Sequence, residues 1–197
     1  MPFPRGVGPG GAAASTYWTL RETYMTESTE PRWAQNLFSQ LVEGGVTLFT
    51  HVPDAGNAAL IRLAYKSNKT NALLLSTEEE GVGICAGADL VGGRSVVCMQ
   101  SSGVGNCINH LSLVKGGRFP VFLIVTMRGD YGEMNPWQYP MGQAVDTVLE
   151  AMGMLIFRVD SEDDLEVATR AALSACFKGG QGVALILSQR FLGAKAF

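Results

Sequence analysis

The sequence predicts an α/β fold in which a six-stranded, mostly parallel sheet carries helices on both faces. Six short apolar segments alternate with segments of helical periodicity, which is typical of parallel sheets. The strand segments are almost continuously apolar, as expected for strands that are buried on both sides. The chain has 197 residues, 47% of them hydrophobic, which suits one domain with a single substantial core.

The first half of the chain contains three of the predicted strands. Pro31 suits the first position of a helix, which Gly44 and Gly45 end. β-Branched and aromatic residues then favour strands. The strands are predicted at VTLFTHV (46–52), NALLLS (71–76) and SVVCMQ (95–100), and helices after Pro53-Asp54, over about 77–90 and near 104–114.

The second half repeats this alternation after the most apolar stretch of the chain, FPVFLIVTM (119–127). A polar loop at 127–140 separates that strand from a helix predicted near 141–152. MLIFRV (154–159) is the fifth strand. Ser161 caps the next helix, with Asp164 three residues on as a variant of the capping box. VALILS (183–188) is the sixth strand.

Composition limits the classes of partner. Charged residues make up only 17%, which favours burial against another chain, and a net charge of −3 without a Lys/Arg stripe argues against nucleic acid and anionic membrane. No apolar run is long enough to span a membrane. The four cysteines form no C-x-x-C pair, so we expect buried free thiols, no metal site in this chain and a cytoplasmic location.

The start of the chain is rich in Gly, Ala and Pro, and lacks the continuous apolar core of a signal peptide. We therefore expect residues 1–28 to be a flexible extension. Residues 29–197 are expected to form the folded domain.

The ends of the predicted strands differ in character. Open parallel sheets bind ligands beyond the carboxyl ends of their strands. The segments that leave those ends are rich in polar residues and glycine, whereas the opposite ends are plain. They are HVPDAGN (51–57), STEEEG (76–81), QSSGVGN (100–106) and MRGDYGEMNPWQYP (127–140). The functional residues are therefore predicted at this edge.

Three acids, Glu78 to Glu80, open the helix predicted at 77–90. Acids in a first turn complement the helix dipole, and Thr77 or Ser76 can cap the helix, so an ordinary capping role explains them. Catalysis is the alternative, because glycine and alanine recur along this helix. An interior glycine costs about 1 kcal/mol relative to alanine. The small residues, Gly81, Gly83, Ala86, Gly87 and Ala88, are predicted to form one docking face.

The segment QSSGVGN follows a strand and precedes a helix, as a nucleotide-phosphate loop does. Gly103 and Gly105 fit G-x-G, but Ile108 stands where a dinucleotide-binding loop has its third glycine, so this alternative is weak. A tight glycine turn that presents Ser101, Ser102 and Asn106 to a site is the better interpretation.

Two charged residues on the loop that follows the fourth strand allow two interpretations. Arg128 and Asp130 can form a structural ion pair, or Arg128 can bind an anion. His51 ends the first strand at the same edge, whereas His110 lies within a predicted helix.

Three runs together resemble a known family. TEEEGVGICAGADL (77–90), VVCMQSSGVGNCINHL (96–111) and VTMRGDYGEMNPWQYPMGQA (125–144) look like the pyrimidine-binding domain of thiamine-diphosphate decarboxylases. The likeness is to sulfopyruvate decarboxylase alpha subunits and phosphonopyruvate decarboxylases, and it runs from about residue 31 to the end. The resemblance implies the thiamine-diphosphate-binding fold, of the pyrimidine type.

The resemblance also implies roles for residues. A family glutamate at the start of this helix hydrogen-bonds the cofactor's aminopyrimidine nitrogen, and the family spacing to Gly87 selects Glu78 as the catalytic acid. Glu79 and Glu80 are alternatives if the register shifts. The other implied positions beside the cofactor are Pro53, Asp54, Gln100, Ser102, Gly103, Gly105 and Asn106. Ser101 stands in the same loop, where the family has asparagine, and is expected beside the substrate. His51, which has no fixed counterpart in the family, and Arg128, a candidate anion contact, are the other expected substrate residues.

Such enzymes anchor Mg²⁺ and the diphosphate with a G-D-G motif and a later Asn. Here Gly129-Asp130 is followed by Tyr131. The resemblance therefore implies a separate beta subunit that supplies this half, in a hetero-oligomer that decarboxylates sulfopyruvate or phosphonopyruvate. The alternative is a non-catalytic or regulatory module of the same fold.

Overall fold

Six parallel strands form one sheet, in the order β2-β1-β3-β4-β6-β5. The computed structural model describes residues 29–194, so the predicted extension at 1–28 lies outside the described residues. Every strand pair is parallel, which confirms the predicted fold class. The strands are β1 Leu48–His51, β2 Asn71–Leu74, β3 Ser95–Gln100, β4 Phe122–Thr126, β5 Leu155–Val159 and β6 Val183–Leu187.

Helices cover both faces of the sheet. One face carries α1 (Arg32–Glu43), α2 (Ala58–Lys66) and α7 (Glu162–Phe177), and the other carries α3 (Glu78–Leu90), α4 (Ser101–Cys107), α5 (Ser112–Lys115) and α6 (Tyr139–Ala151). A short helix, α8 (Gln189–Leu192), follows β6. Each face of the sheet carries one cluster of buried apolar side chains, and successive residues of a strand belong to opposite clusters. Val96 and Cys98 face the first set of helices, whereas Val97 and Met99 face the second.

Three predicted helix starts were wrong by one to three residues. Pro31 is the N-cap of α1 and not its first residue. α4 begins at Ser101, directly after β3, and not near residue 104. α6 begins at Tyr139 rather than near 141, because a 3₁₀ turn at Pro136–Gln138 runs into it. That turn forms because the Asn135 side chain accepts a hydrogen bond from the backbone N–H of Trp137, at 3.1 Å.

The predicted cap of α7 is confirmed. Ser161 Oγ accepts a hydrogen bond from the backbone N–H of Asp164, and the Asp164 carboxylate accepts from Ser161 Oγ at 2.8 Å. This reciprocal arrangement is the capping box with aspartate in the glutamate position.

The four cysteines are free and buried, as predicted. Burial raises the pKa of the Cys85 thiol to about 11 and that of Cys107 to about 12, so both thiols stay protonated at neutral pH. They contribute to packing. Within residues 29–194, no helix combines the length and the apolar character needed to cross a membrane.

Candidate active site

The order of the strands creates a crevice above β1 and β3. From β1 the chain passes to α2 on one face of the sheet, and from β3 it passes to α4 on the other face. Strand order reverses between these two neighbours, and such a switch point is where open α/β sheets bind ligands. The segments that follow β1 and β3 contain most of the site residues predicted from the sequence.

Glu78 is the first residue of α3, and its carboxylate is turned towards α4. Glu78 Oε2 accepts a hydrogen bond from Asn106 Nδ2 at 2.8 Å. A Cβ atom at Gly103 would lie only 2.6 Å from Glu78 Oε1, so any other residue there would displace the carboxylate. Three predicted residues from two separate segments therefore contact one another: Glu78 of STEEEG, and Gly103 and Asn106 of QSSGVGN.

Glu80 takes the capping role that the sequence allowed for all three acids. Its Oε2 accepts a hydrogen bond from the backbone N–H of Ser76 at 2.9 Å. Neither of the predicted cap side chains acts: Thr77 is the N-cap but makes no side-chain cap bond, and its buried hydroxyl has no partner among the described residues. The structure thus gives Glu80 a structural function and turns Glu78 towards α4.

The small residues of α3 do not form one face, which corrects the prediction. Gly81 packs on the sheet, where a Cβ would lie 2.5 Å from Val97 Cγ1. Gly83 and Gly87 are exposed, with nothing within 4 Å of a Cβ. The helical rotation of about 100° per residue separates these positions. Close packing on the sheet explains Gly81, and the outward pair remains available for a partner.

The segment QSSGVGN is the first turns of a helix and not a glycine turn. Ser101 is fully buried and joins α4 to the loop after β4: its hydroxyl donates to the Arg128 carbonyl at 3.1 Å and accepts from the Arg128 N–H at 3.0 Å. Gln100 Nε2 donates to Ser102 Oγ at 2.8 Å and to Gln138 Oε1 at 3.2 Å. These bonds fix the loop against the start of α4.

Asp54 forms the third group of contacts, on the turn after β1. Its Oδ2 accepts a hydrogen bond from Thr126 Oγ1 at 2.7 Å and another from the backbone N–H of Asn57 at 3.2 Å. Pro53, beside it, is exposed. Asn57 and Thr126 were not predicted from the sequence. Asn57 belongs to the polar segment HVPDAGN, whereas Thr126 lies within a strand whose other residues are apolar.

A cavity of about 580 Å³ opens beside Asp54, a size typical of small-molecule sites. Its wall includes the ring of Trp33, the side chains of Met127 and Leu192, and the charged residues Asp54 and Arg128. It lies on the α2 side of the sheet edge.

The guanidinium of Arg128 forms a two-pronged ion pair with Glu133, with Nε–Oε2 2.6 Å and Nη2–Oε1 2.7 Å. This hydrogen bonding raises the pKa of Arg128 and holds the pKa of Glu133 well below its usual range. The structural pair considered from the sequence therefore exists, but with Glu133 in place of Asp130. Asp130 instead pairs with Arg158, at 2.6 Å.

His51 points into the protein. Only 1% of the residue is exposed, and its Nε2 lies 3.2 Å from the hydroxyl of Tyr65 on α2. Burial lowers the pKa of the ring to about 4, so the histidine is neutral at physiological pH. The structure does not bring His51 into contact with Glu78 or Asn106.

Comparison with known proteins places the chain in a family, although no protein-family model matches it. The sulfopyruvate decarboxylase alpha subunit of Methanocaldococcus jannaschii is 31% identical over 151 residues, which cover 76% of this chain and 89% of that subunit. The phosphonopyruvate decarboxylase of Streptomyces viridochromogenes is 33% identical over 141 residues, 70% of this chain but 36% of that enzyme.

A solved structure supports the fold. A chain of 2-oxoglutarate:ferredoxin oxidoreductase from Magnetococcus marinus matches with a TM-score of 0.61, over 81% of this chain and 29% of that one. At 12% identity this likeness concerns the fold alone. The first relative combines more than 30% identity with nearly full coverage of an alpha subunit. The chain therefore belongs to the family of sulfopyruvate decarboxylase alpha subunits.

Proposed function

We propose that the chain is the pyrimidine-binding subunit of a thiamine-diphosphate-dependent 2-oxo acid decarboxylase that acts on sulfopyruvate or phosphonopyruvate. The observation that carries the proposal is the Glu78 carboxylate, oriented by Asn106 and seated against Gly103 at the switch point of the sheet. The names of the relatives supply the substrate classes.

The residues around Glu78 fit the ring of this cofactor. Asn106 engages one carboxylate oxygen, and Glu78 Oε1 accepts no hydrogen bond from the described residues, so it remains available for a ring nitrogen. Gly103 leaves room for the Glu78 carboxylate itself, and Gly105 packs against Met141, whose Sδ would lie 3.0 Å from a Cβ there. The bound cofactor supplies the electron sink for loss of carbon dioxide. Glu78 is proposed to hold or release a proton at its carboxylate. Gln100, Ser102 and Asn106 are proposed to lie beside the cofactor on the same side of the site as Glu78.

We propose that a beta subunit supplies the diphosphate and Mg²⁺ site. Among residues 29–194, no cluster of His, Cys, Asp and Glu is arranged to hold a metal ion. The dipeptide Gly129-Asp130 is followed by Tyr131 and not by a second glycine, and the Asp130 carboxylate accepts a hydrogen bond from Arg158. The relatives' name, subunit alpha, also implies a partner chain. We expect the assembly to act in the cytoplasm.

The substrate's acid group is proposed to lie near Arg128, with Ser101 and Asp54 close by. Arg128 lines the cavity beside Asp54, and Glu133 fixes the plane of its guanidinium. Such a rigid cation suits a carboxylate, sulfonate or phosphonate oxygen. His51 remains a predicted substrate residue, although its ring is buried beside Tyr65 of α2.

Replacing Glu78 by Gln tests the proposal in the assembled enzyme. Glu78→Gln removes the exchangeable proton but keeps the size of the side chain, so we expect carbon dioxide release to fall by about 100-fold or more. Glu80→Gln is the matched control, because an amide oxygen can still accept the Ser76 N–H, and we expect its activity to stay within about twofold. Full activity in Glu78→Gln would falsify the role.

The second candidate is a non-catalytic or regulatory module that keeps the fold. The incomplete diphosphate motif favours it, because Gly129-Asp130 is followed by Tyr131 and not by a second glycine. Titration of the assembled protein with thiamine diphosphate and Mg²⁺ separates the two: a regulatory module binds cofactor or partner without releasing carbon dioxide from either 2-oxo acid.

A further inference from the structure

The carboxylate of Asp54 is held asymmetrically. Thr126 Oγ1 donates to Oδ2 at 2.7 Å, the backbone N–H of Asn57 donates to the same oxygen at 3.2 Å, and Asn57 Nδ2 lies 3.5 Å from it. Oδ1 accepts no hydrogen bond from the described residues. One oxygen is therefore anchored, and the other is left for something outside the turn.

The anchoring groups are buried. Asn57 and Thr126 are 1% and 2% exposed. Asn57 Nδ2 donates hydrogen bonds to the Met99 carbonyl at 3.0 Å and to Thr126 Oγ1 at 3.3 Å. Because Thr126 Oγ1 is the acceptor in the second bond, its own hydroxyl proton can be donated to Asp54. A Cβ at Gly56 would lie 2.7 Å from Thr126, so the turn rests directly on β4. Asn57 Oδ1 is buried and has no partner among the described residues, but the other polar groups of this network are hydrogen-bonded, and such buried bonds hold side chains in one geometry.

The anchored carboxylate faces the cavity of about 580 Å³, and Thr126 and Arg128 share its wall. Asp54 lies close enough to contribute to the raised pKa of Arg128. The cavity is thus lined by an anchored carboxylate and by a cation that Glu133 holds in place.

We infer that Thr126 is a positioning residue, which acts through Asp54 and holds Oδ1 towards the substrate. This rests on the proposed function, in which the 2-oxo acid enters the cavity. Removing the hydroxyl takes away the shorter of the two hydrogen bonds to Oδ2 and leaves only the longer one from the Asn57 N–H, so the carboxylate can rotate away from its productive orientation. Small misplacements of a reacting group lower rates strongly.

A double-mutant cycle in the assembled enzyme tests this. Loss of a hydrogen bond to a charged group predicts that Thr126→Val lowers kcat by roughly tenfold or more, with a smaller change in KM. Thr126→Ser, which keeps the hydroxyl, should stay within about threefold. In the background of Asp54→Asn, Thr126→Val should add less than about twofold, because the two residues act as one unit. Full additivity, or equal losses in Val and Ser, would overturn the inference.

Crystal structures of the Val and Ser variants give a readout independent of activity. We expect the Asp54 carboxylate to be displaced in Thr126→Val and unchanged in Thr126→Ser; an unmoved carboxylate in Thr126→Val would contradict the inference. If the wild-type assembly releases no carbon dioxide, the proposed function fails, and these structures still decide whether Thr126 positions Asp54.

Discussion

Glu133 shows how a single residue fixes the loop at the sheet's functional edge. Its carboxylate is buried and accepts hydrogen bonds from Arg128, the backbone N–H groups of Gly129 and Asn135, and Gln189 Nε2. A buried charge of this kind is tolerable only when it is paired and fully hydrogen-bonded. The position of Arg128 in the cavity wall therefore depends on Glu133.

Glu133→Gln should lower the free energy of unfolding by about 3 kcal/mol, because it leaves Arg128 without its partner charge. The exposed Arg170–Glu166 pair gives the control, and Glu166→Gln should change stability by less than about 1 kcal/mol. Denaturant unfolding measures both.

The pH dependence of this difference has a defined sign. The pKa of Glu133 is lowered from its ordinary value of 4.5, so its stabilisation is complete above that value and is lost as pH falls below it. The difference in the free energy of unfolding between the wild type and Glu133→Gln should therefore decrease as the pH falls from about 5 to about 2. If this difference in the free energy of unfolding stayed constant over the range, the charge of the Glu133 carboxylate would not be its cause.

At the residue scale, the candidate site residues could be named from the sequence, but their contacts could not be predicted. Glu78 and Asn106 were both singled out, yet 28 positions separate them and only the fold shows their hydrogen bond. Thr126 was missed because a β-branched residue in an apolar run is indistinguishable from an ordinary strand position. Gln189 was missed because it lies outside the four polar segments from which the site residues were predicted.

At the scale of the element, α3 has two kinds of glycine. Gly81 permits the helix to lie on Val97, whereas Gly83 faces outwards, with no atom within 4 Å of the position that a methyl group would take. The glycine content of the helix could not distinguish the two kinds, because composition does not say towards which side of the helix each position points.

Alanine substitutions in α3 should therefore have opposite effects on the chain. Gly83→Ala should raise the free energy of unfolding by about 1 kcal/mol through helix propensity. Gly81→Ala should lower it by about 1 to 3 kcal/mol, because its methyl group overpacks against Val97. Thermal or urea unfolding of the two variants measures both effects. An equal decrease in the free energy of unfolding in both variants would mean that the face of α3 that contains Gly83 is also packed.

At the scale of the whole molecule, the fold class followed from the sequence because strands buried on both faces are continuously apolar. The pairing and order of the strands could not be predicted, since local periodicity says nothing about which strands become neighbours. The order matters here, because it places the turn after β1 and the start of α4 on opposite sides of one crevice.

The whole molecule also presents only part of the proposed chemistry. The proposed acid for the cofactor's ring and the proposed cavity for the 2-oxo acid lie on this chain, and the diphosphate and Mg²⁺ site is proposed for a partner. A chain that contributes half of a site is expected to be inactive by itself.

Reconstitution is the most direct test of this division. Carbon dioxide release from sulfopyruvate and phosphonopyruvate would be measured, with thiamine diphosphate and Mg²⁺, for the chain, for its candidate beta subunit and for their mixture. The account predicts release from the mixture alone, and none when the mixture contains Glu78→Gln. Release by the chain without a partner, or an active mixture with Glu78→Gln, would contradict it.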